Sequence, residues 1–296
     1  MINKTVFLPE QQPLTDEEYE FIYQPICKVG CKTIKTWMLS LLKKDVIDDI
    51  NEATYGQFME DKHMDTDFNI HDCAVKLFGY VYHPNNIISN LSPVSLENEG
   101  FISYNSEYIE LLDKDNFKFT NKINNYFKFT FVRNPWTRII SAYIDKFRSP
   151  GGITYKRAVD MNNFYRSSIP KKQLNEYFDG DNILSFEGFV DILYQQSKMS
   201  YESFDIHWIP QHFINDMYIG DFDFTGKLEN FNKDFDVILE KLNIDIKPNY
   251  KIGSLSHRFH KHREFYKSNS KLIDKVAEIY KEDIKRYNYD FSYLEK

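Results

Sequence analysis

Residues 129–147 read Phe129-Thr-Phe-Val-Arg-Asn-Pro-Trp-Thr-Arg-Ile-Ile-Ser-Ala-Tyr-Ile-Asp-Lys-Phe147. Phe129, Phe131 and Val132 suit a buried strand. Asn134 is a good N-cap, and Pro135 fits the first helical position, where a missing N–H costs nothing. Trp136, Ile140, Tyr143 and Phe147 then recur on one helical face. The spacing therefore predicts a strand that hands over to a helix with Arg133 at the corner. Such a corner can hold an anion, because the helix's open N–H groups and dipole add to the guanidinium charge. Ser141, two turns into the helix, is placed to offer a hydroxyl to the same anion. The same residues also suit an arginine that merely closes a strand and a serine buried in a helix, and this stretch alone does not separate the two.

A second corner of the same design lies upstream. Phe21 to Cys27 reads as a strand with Pro25 marking an edge or an irregular end. Lys28-Val-Gly-Cys-Lys-Thr-Ile-Lys35 follows, and then a helical pattern through Trp37, Met38, Leu41 and Leu42. A loop with one glycine, a threonine and three lysines between strand and helix is a plausible phosphate cradle. It is not a Walker A loop, which needs two glycines and a Gly-Lys-Ser/Thr ending. A solvated turn with surface lysines fits the spacing as well.

Working outward, Thr15-Asp-Glu-Glu resembles a helix start. Val75 to Tyr82 reads as a strand, and Ser149-Pro-Gly-Gly152 is a breaker. Residues 153–182 form a polar, partly basic excursion, extending as a helical and loop segment to about 205 on the acceptor side. Ser185 is expected to cap a helix through Phe189, Val190 and Leu193. Tyr218 to Glu229 reads as one or two strands, followed by a helix with Phe231, Phe235, Ile238, Leu239 and Leu242 inward. Residues 245–270 read as a polar loop, and a last helix starts near Ser270 with Leu272, Ile273, Val276, Ile279 and Tyr280 inward. Strands alternating with helices predict one α/β domain over 1–296 around a central, mainly parallel sheet flanked by helices.

Composition sets outer bounds. The chain has 296 residues, enough for a sizeable core, and 17% of them are aromatic, so Phe and Tyr must fill much of that core. A net charge of −7 argues against a general nucleic-acid partner. Three cysteines, Cys27, Cys31 and Cys73, make no disulfide framework and suit a reducing compartment. No signal peptide or membrane span is expected, since no apolar run approaches the roughly 20 residues a bilayer requires. The expectation is a cytoplasmic protein with no bound metal. His257, His260 and His262 read as a solvated basic loop rather than a metal site.

Taken in order, several stretches are more specific than any one. Tyr23 to Lys35 resembles the 5′-phosphosulfate loop of the carbohydrate sulfotransferases of chondroitin/dermatan and HNK-1 type, sulfotransferase family 2. Phe129 to Phe147 is similar to their 3′-phosphate motif, almost position for position. His207-Trp208 and Asp223-Phe-Thr-Gly-Lys-Leu-Glu229 match two further signatures in the right order, and Ser254 to Arg258 resembles the late loop that covers the nucleotide in related heparan sulfotransferases. The chain departs from the pattern at Cys27, where the family usually has Pro, at Ile34, where many members have Trp, and at Phe259 and His260, where relatives carry Thr. No membrane anchor of the kind Golgi members begin with is expected.

The resemblance implies a P-loop-NTPase-like three-layer sandwich and transfer of sulfate from 3′-phosphoadenosine-5′-phosphosulfate to a hydroxyl, on a glycan or a small metabolite, without a metal. In those roles Lys28 neutralises the bridging oxygen of the donor. Val29, Gly30, Cys31, Lys32 and Thr33 wrap the 5′-phosphate. Arg133 and Ser141 hold the 3′-phosphate, and Arg258 with Ser254 or Ser256 closes over the same end. The base that takes the acceptor proton is sought among His207, His71 and His83, with His207 preferred for its place in the His-Trp pair. Trp208 is available to stack on sugar rings. Asp223, Lys227 and Glu229 read equally well as a strand end whose charges pair internally. A magnesium-dependent kinase or NTPase is the alternative, weakened by the missing Walker residues.

Overall fold

A computed structural model describes residues 13–16, 18–41, 125–148, 177, 184–199, 204–219, 221–248, 262–267 and 269–294. Its centre is a four-stranded sheet in the order β1 (Leu14–Asp16), β2 (Phe21–Gln24), β3 (Phe127–Val132), β4 (Phe224–Lys227). β1 runs antiparallel to β2, while β2, β3 and β4 are parallel, with Tyr23 opposite Phe129 and Phe131 opposite Gly226. Each parallel strand turns into a helix at the same end of the sheet: β2 into α1 (Cys31–Ser40), β3 into α2 (Pro135–Tyr143), and β4, through a 3₁₀ turn at Leu228–Asn230, into α5 (Phe231–Leu242). Between α2 and β4 lie α3 (Phe186–Ser197) and α4 (Gln211–Tyr218); α6 (Ser270–Ile279) and α7 (Lys281–Arg286) close the chain.

Alternation along the strands divides the side chains between two faces. On one, Phe131 packs against Phe231 and Phe235 with ring centroids 5.0 and 5.9 Å apart, and Trp37 of α1 meets Phe235 edge-on at 4.9 Å. On the other, Ile22 packs with Tyr126 and Ile219, just past α4. Gly226 is required by this packing: a Cβ there would lie 2.5 Å from the Phe131 ring. A second aromatic set, Tyr143, Phe147, Phe186 and Phe189, joins α2 to α3. Among the described residues, no helix is long and apolar enough to cross a membrane.

Most local signals appear where expected. Asn134 caps α2 by accepting from the Trp136 N–H, with Pro135 at the first position; Ser185 caps α3 through the Gly188 N–H; α6 begins at Ser270 behind Asn269. Four readings need correction. Thr15-Asp-Glu-Glu is not a helix start: β1 ends at Asp16, whose carboxylate takes the N–H groups of Glu18 and Tyr19 and turns the chain back into β2. β2 stops at Gln24 rather than Cys27, because Pro25 cannot extend the ladder. Tyr218 is the last residue of α4, not the first of a strand, and β4 begins at Phe224. Residues 262–267 are helical rather than loop, and His262 is buried on the same face as Tyr266, whose hydroxyl donates to the Trp136 carbonyl. The expected strand at 75–82, His71, His83, His257, His260 and residues 153–176 lie outside the described residues, whereas α3 sits in the core against α6.

Candidate active site

The three corners that follow β2, β3 and β4 are tied together by side chains. The Arg133 guanidinium, only 4% exposed, donates from Nη1 to the Lys28 carbonyl at 3.1 Å and from Nε to the Thr137 hydroxyl at 3.0 Å. Arg138 donates from Nε to the Cys27 carbonyl at 3.1 Å and from Nη1 to the Ile209 carbonyl at 2.7 Å. Glu229 accepts the Asn134 N–H at 2.8 Å and the Tyr289 hydroxyl at 3.1 Å. Burial drives the Glu229 carboxyl upward, against the Asn134 N–H and the Arg133 charge. Behind Arg133, Gln211 brackets its backbone, accepting the N–H at 2.8 Å and donating to the carbonyl at 2.9 Å. Asp283 in turn caps α4, taking the N–H groups of Gln211 and His212, each at 2.8 Å.

The lysine loop has the backbone of an anion cradle. Lys28 and Gly30 both take left-handed φ, 66° and 76°. Gly30 suits that conformation and the close approach of Leu228, which a Cβ would meet at 3.0 Å. The Ile34 N–H closes onto the Gly30 carbonyl at 3.2 Å, so the N–H groups of Cys31, Lys32 and Thr33 precede the first intrahelical bond of α1. No acidic residue lies in the first turn of α1. Val29 is fully buried, so its backbone is what it can offer; Lys32 is exposed and Thr33 half-buried. Cys31 and Cys27 are buried and form no disulfide. A hydrogen bond from Cys27, followed by Lys35 and Lys28, lowers the Cys31 thiol to about 6 despite its burial.

The Lys28 ammonium is paired with Asp145 at 2.6 Å. Asp145 stands on the π-helical turn Ile144–Arg148 that ends α2, the wider turn that brings it back over the lysine loop. Burial alone would raise its carboxyl, but Lys28, then Lys146 and His207, hold it below the usual range. His207 therefore lies near enough to this pair to be felt by it. Its Nδ1 is 2.5 Å from Asp205 Oδ1, and its side chain is 17% exposed.

The structure thus brings Lys28, Gly30, Cys31, Arg133 and His207 to one end of the sheet. Ser141 is half-buried, and the hydroxyl that Arg133 meets is that of Thr137, one turn earlier. Trp208 is not a sugar platform: it is 1% exposed and packed between Phe147 and Phe189. Lys227 and Asp223 cap backbone groups instead of pairing, Lys227 through the Asn288 carbonyl and Asp223 through the Lys128 N–H. Ser256 and Arg258 lie outside the described residues. Asp145, Arg138, Asp205 and Gln211 were not singled out from sequence; the available signals were the next arginine after Arg133 and the Asp-Ile-His spacing at 205–207. No group of three or more metal-ligating side chains occurs among the described residues.

Compared with known families, residues 11–290 match the sequence profile described as Sulfotransferase family. The chain belongs to the sulfotransferase family. It is 32% identical over 127 residues to mouse carbohydrate sulfotransferase 12, covering 42% of this chain and 30% of that protein. Zebrafish carbohydrate sulfotransferase 14 is 25% identical over 198 residues, 64% of this chain and 49% of that protein. Human carbohydrate sulfotransferase 9 is 24% identical over 202 residues, 66% of this chain and 43% of that protein. The matched sulfotransferase segments thus span less than half the length of these relatives. No solved structure matches the chain.

Proposed function

We propose that this sulfotransferase moves the sulfuryl group of 3′-phosphoadenosine-5′-phosphosulfate to a hydroxyl of a carbohydrate, on a P-loop-like three-layer α/β fold. The observation that carries the reading is the hydrogen bond from Arg133 to the Lys28 carbonyl, which sets two cationic strand-to-helix corners side by side. A nucleotide phosphorylated at both ends of its ribose needs two such corners in fixed relation. The printed names of the matched relatives support a carbohydrate as acceptor.

In this reading the backbone from Gly30 to Thr33 takes the 5′-phosphate, using open N–H groups and the α1 dipole. Arg133 is the cation for the 3′-phosphate, with Ser141, Ser256 and Arg258 as further candidates. Lys28 exchanges Asp145 for the bridging oxygen as the S–O bond to the 5′-phosphate breaks, so the leaving phosphate departs with its new charge neutralised. His207 accepts the proton of the attacking hydroxyl. The protein supplies in-line placement and charge stabilisation rather than a covalent intermediate.

The test is transfer of ³⁵S from labelled donor to unsulfated polysaccharides, beside Lys28→Ala. Transfer is expected in the wild type, with turnover down about 10²–10³-fold in the variant and nucleotide affinity little changed. Unaltered turnover in Lys28→Ala removes that lysine from the mechanism. Magnesium-dependent ATP turnover without sulfate transfer overturns the reading.

A further inference from the structure

We infer that Asp205 is a positioning residue for His207, holding the imidazole with its proton on Nδ1 so that Nε2 receives the acceptor's proton; this rests on the sulfuryl-transfer reading above. Three observations converge on Asp205. One carboxylate oxygen, Oδ1, accepts the His207 backbone N–H at 2.9 Å and lies 2.5 Å from His207 Nδ1. The Asp205 carbonyl accepts the N–H groups of Trp208 and Ile209 at 3.0 and 2.9 Å, so the whole turn closes on this residue. The Ile209 carbonyl is gripped by Arg138, whose other bond holds the Cys27 carbonyl beside Lys28. The imidazole is therefore fixed relative to its own turn, and the turn relative to the lysine loop.

A carboxylate is an acceptor only, so a neutral imidazole facing it carries its hydrogen on Nδ1 and leaves the Nε2 lone pair available. Among the described residues His207 Nε2 has no hydrogen-bond partner. The charged groups around the ring are Asp205 on its own turn and Asp145 from the end of α2, the latter neutralised by Lys28; Lys146 faces Asp205. Burial would raise the Asp205 carboxyl, but His207 and then Lys146 outweigh it and keep it low, in the ionised form this role needs. In the transfer step the acceptor O–H bond breaks as the new O–S bond forms. The proton passes to Nε2, and the electron pair of the old S–O bond leaves on the 5′-phosphate. The imidazolium so formed has Asp205 against its Nδ1–H.

Two measurements test this on the full chain. Long-range ¹H–¹⁵N NMR, with the His207 signals assigned by their loss in His207→Gln, is expected to show the neutral ring protonated on Nδ1. A proton on Nε2 overturns the proposal, and this readout needs no acceptor. Kinetics with labelled donor and unsulfated chondroitin form the second arm. Asp205→Asn keeps an oxygen for the His207 N–H, so the turn, the melting temperature and affinity for 3′-phosphoadenosine-5′-phosphate should hold. Turnover is expected to fall about 10²–10⁴-fold. In a His207→Gln background the same change should cost almost nothing further. Unchanged turnover, or an equal loss in both backgrounds, leaves Asp205 as a mere turn cap and refutes the inference. Donor that neither binds nor transfers in the wild type instead sinks the sulfotransferase reading, and the catalytic role of Asp205 with it.

Discussion

Replacing Arg133 with alanine separates two jobs that the structure gives one side chain. In the folded protein the guanidinium is buried and donates to the Lys28 carbonyl at 3.1 Å and the Thr137 hydroxyl at 3.0 Å. Its removal leaves a part-buried carbonyl short of a donor, at a cost of about 1–3 kcal/mol. For a chain of this size that is a fall in melting temperature on the order of 2–12 °C. The second loss appears only with ligand. A charge-assisted hydrogen bond to phosphate contributes about 1.5–3 kcal/mol, which is roughly 10- to 150-fold in affinity. That factor should fall on 3′-phosphoadenosine-5′-phosphate and spare AMP, which lacks the 3′-phosphate. Calorimetric titration of both nucleotides into wild type and Arg133→Ala, below the melting temperature of each, reads the ratio directly. Arg133→Lys, which keeps the charge but not the fork, should fall between. Equal losses for the two nucleotides would show that Arg133 only braces the corners and would refute its assignment to the 3′-phosphate.

Arg138→Met removes both donors that hold the Cys27 and Ile209 carbonyls, and should lower unfolding free energy in urea by roughly 2–5 kcal/mol; a change under about 1 kcal/mol would deny it a bracing role. Gly226→Ala places a Cβ against the Phe131 ring, 2.5 Å away before relaxation, and should cost about 1–3 kcal/mol by the same measurement, while no loss would show that the ring moves freely. Cys31 gives a pH dependence whose sign follows from its lowered thiol, about 6 against the usual 9.0. The stabilisation is full above the unfolded value and is lost as pH falls through the folded one. The stability difference between wild type and Cys31→Ala should therefore grow from pH 6 to pH 9, and thiolate absorbance at 240 nm should titrate with it; a flat difference contradicts the assignment.

The legible parts of this fold were those decided by local chemistry. Asn134-Pro135 announces a helix start because its cap is local, and the aromatic spacing of β3 and α5 reports directly which side chains are buried. Asp16 misled because a carboxylate that takes N–H groups two and three residues on serves a chain reversal as well as a helix N-cap. Helix α4 was missed because its stability comes from elsewhere: Asp283, more than seventy residues away, caps its first N–H groups. The candidate site divides the same way. Lys28, Arg133 and His207 sit in recognisable stretches. Asp145 does its work only because a π-helical turn brings it over a loop more than a hundred residues upstream, and Arg138 because two distant carbonyls converge on it. Nothing in the residue pattern alone specifies those encounters. Trp208 illustrates the opposite error, an aromatic read as a surface platform that the core has absorbed.

A crystal structure of the wild-type protein with 3′-phosphoadenosine-5′-phosphate tests the central claim most directly. The account predicts the 5′-phosphate within hydrogen-bond reach of the N–H groups from Gly30 to Thr33, with Lys28 turned from Asp145 toward it, and the 3′-phosphate against Arg133. A nucleotide bound away from these corners, or bound with its 3′-phosphate remote from Arg133, contradicts it.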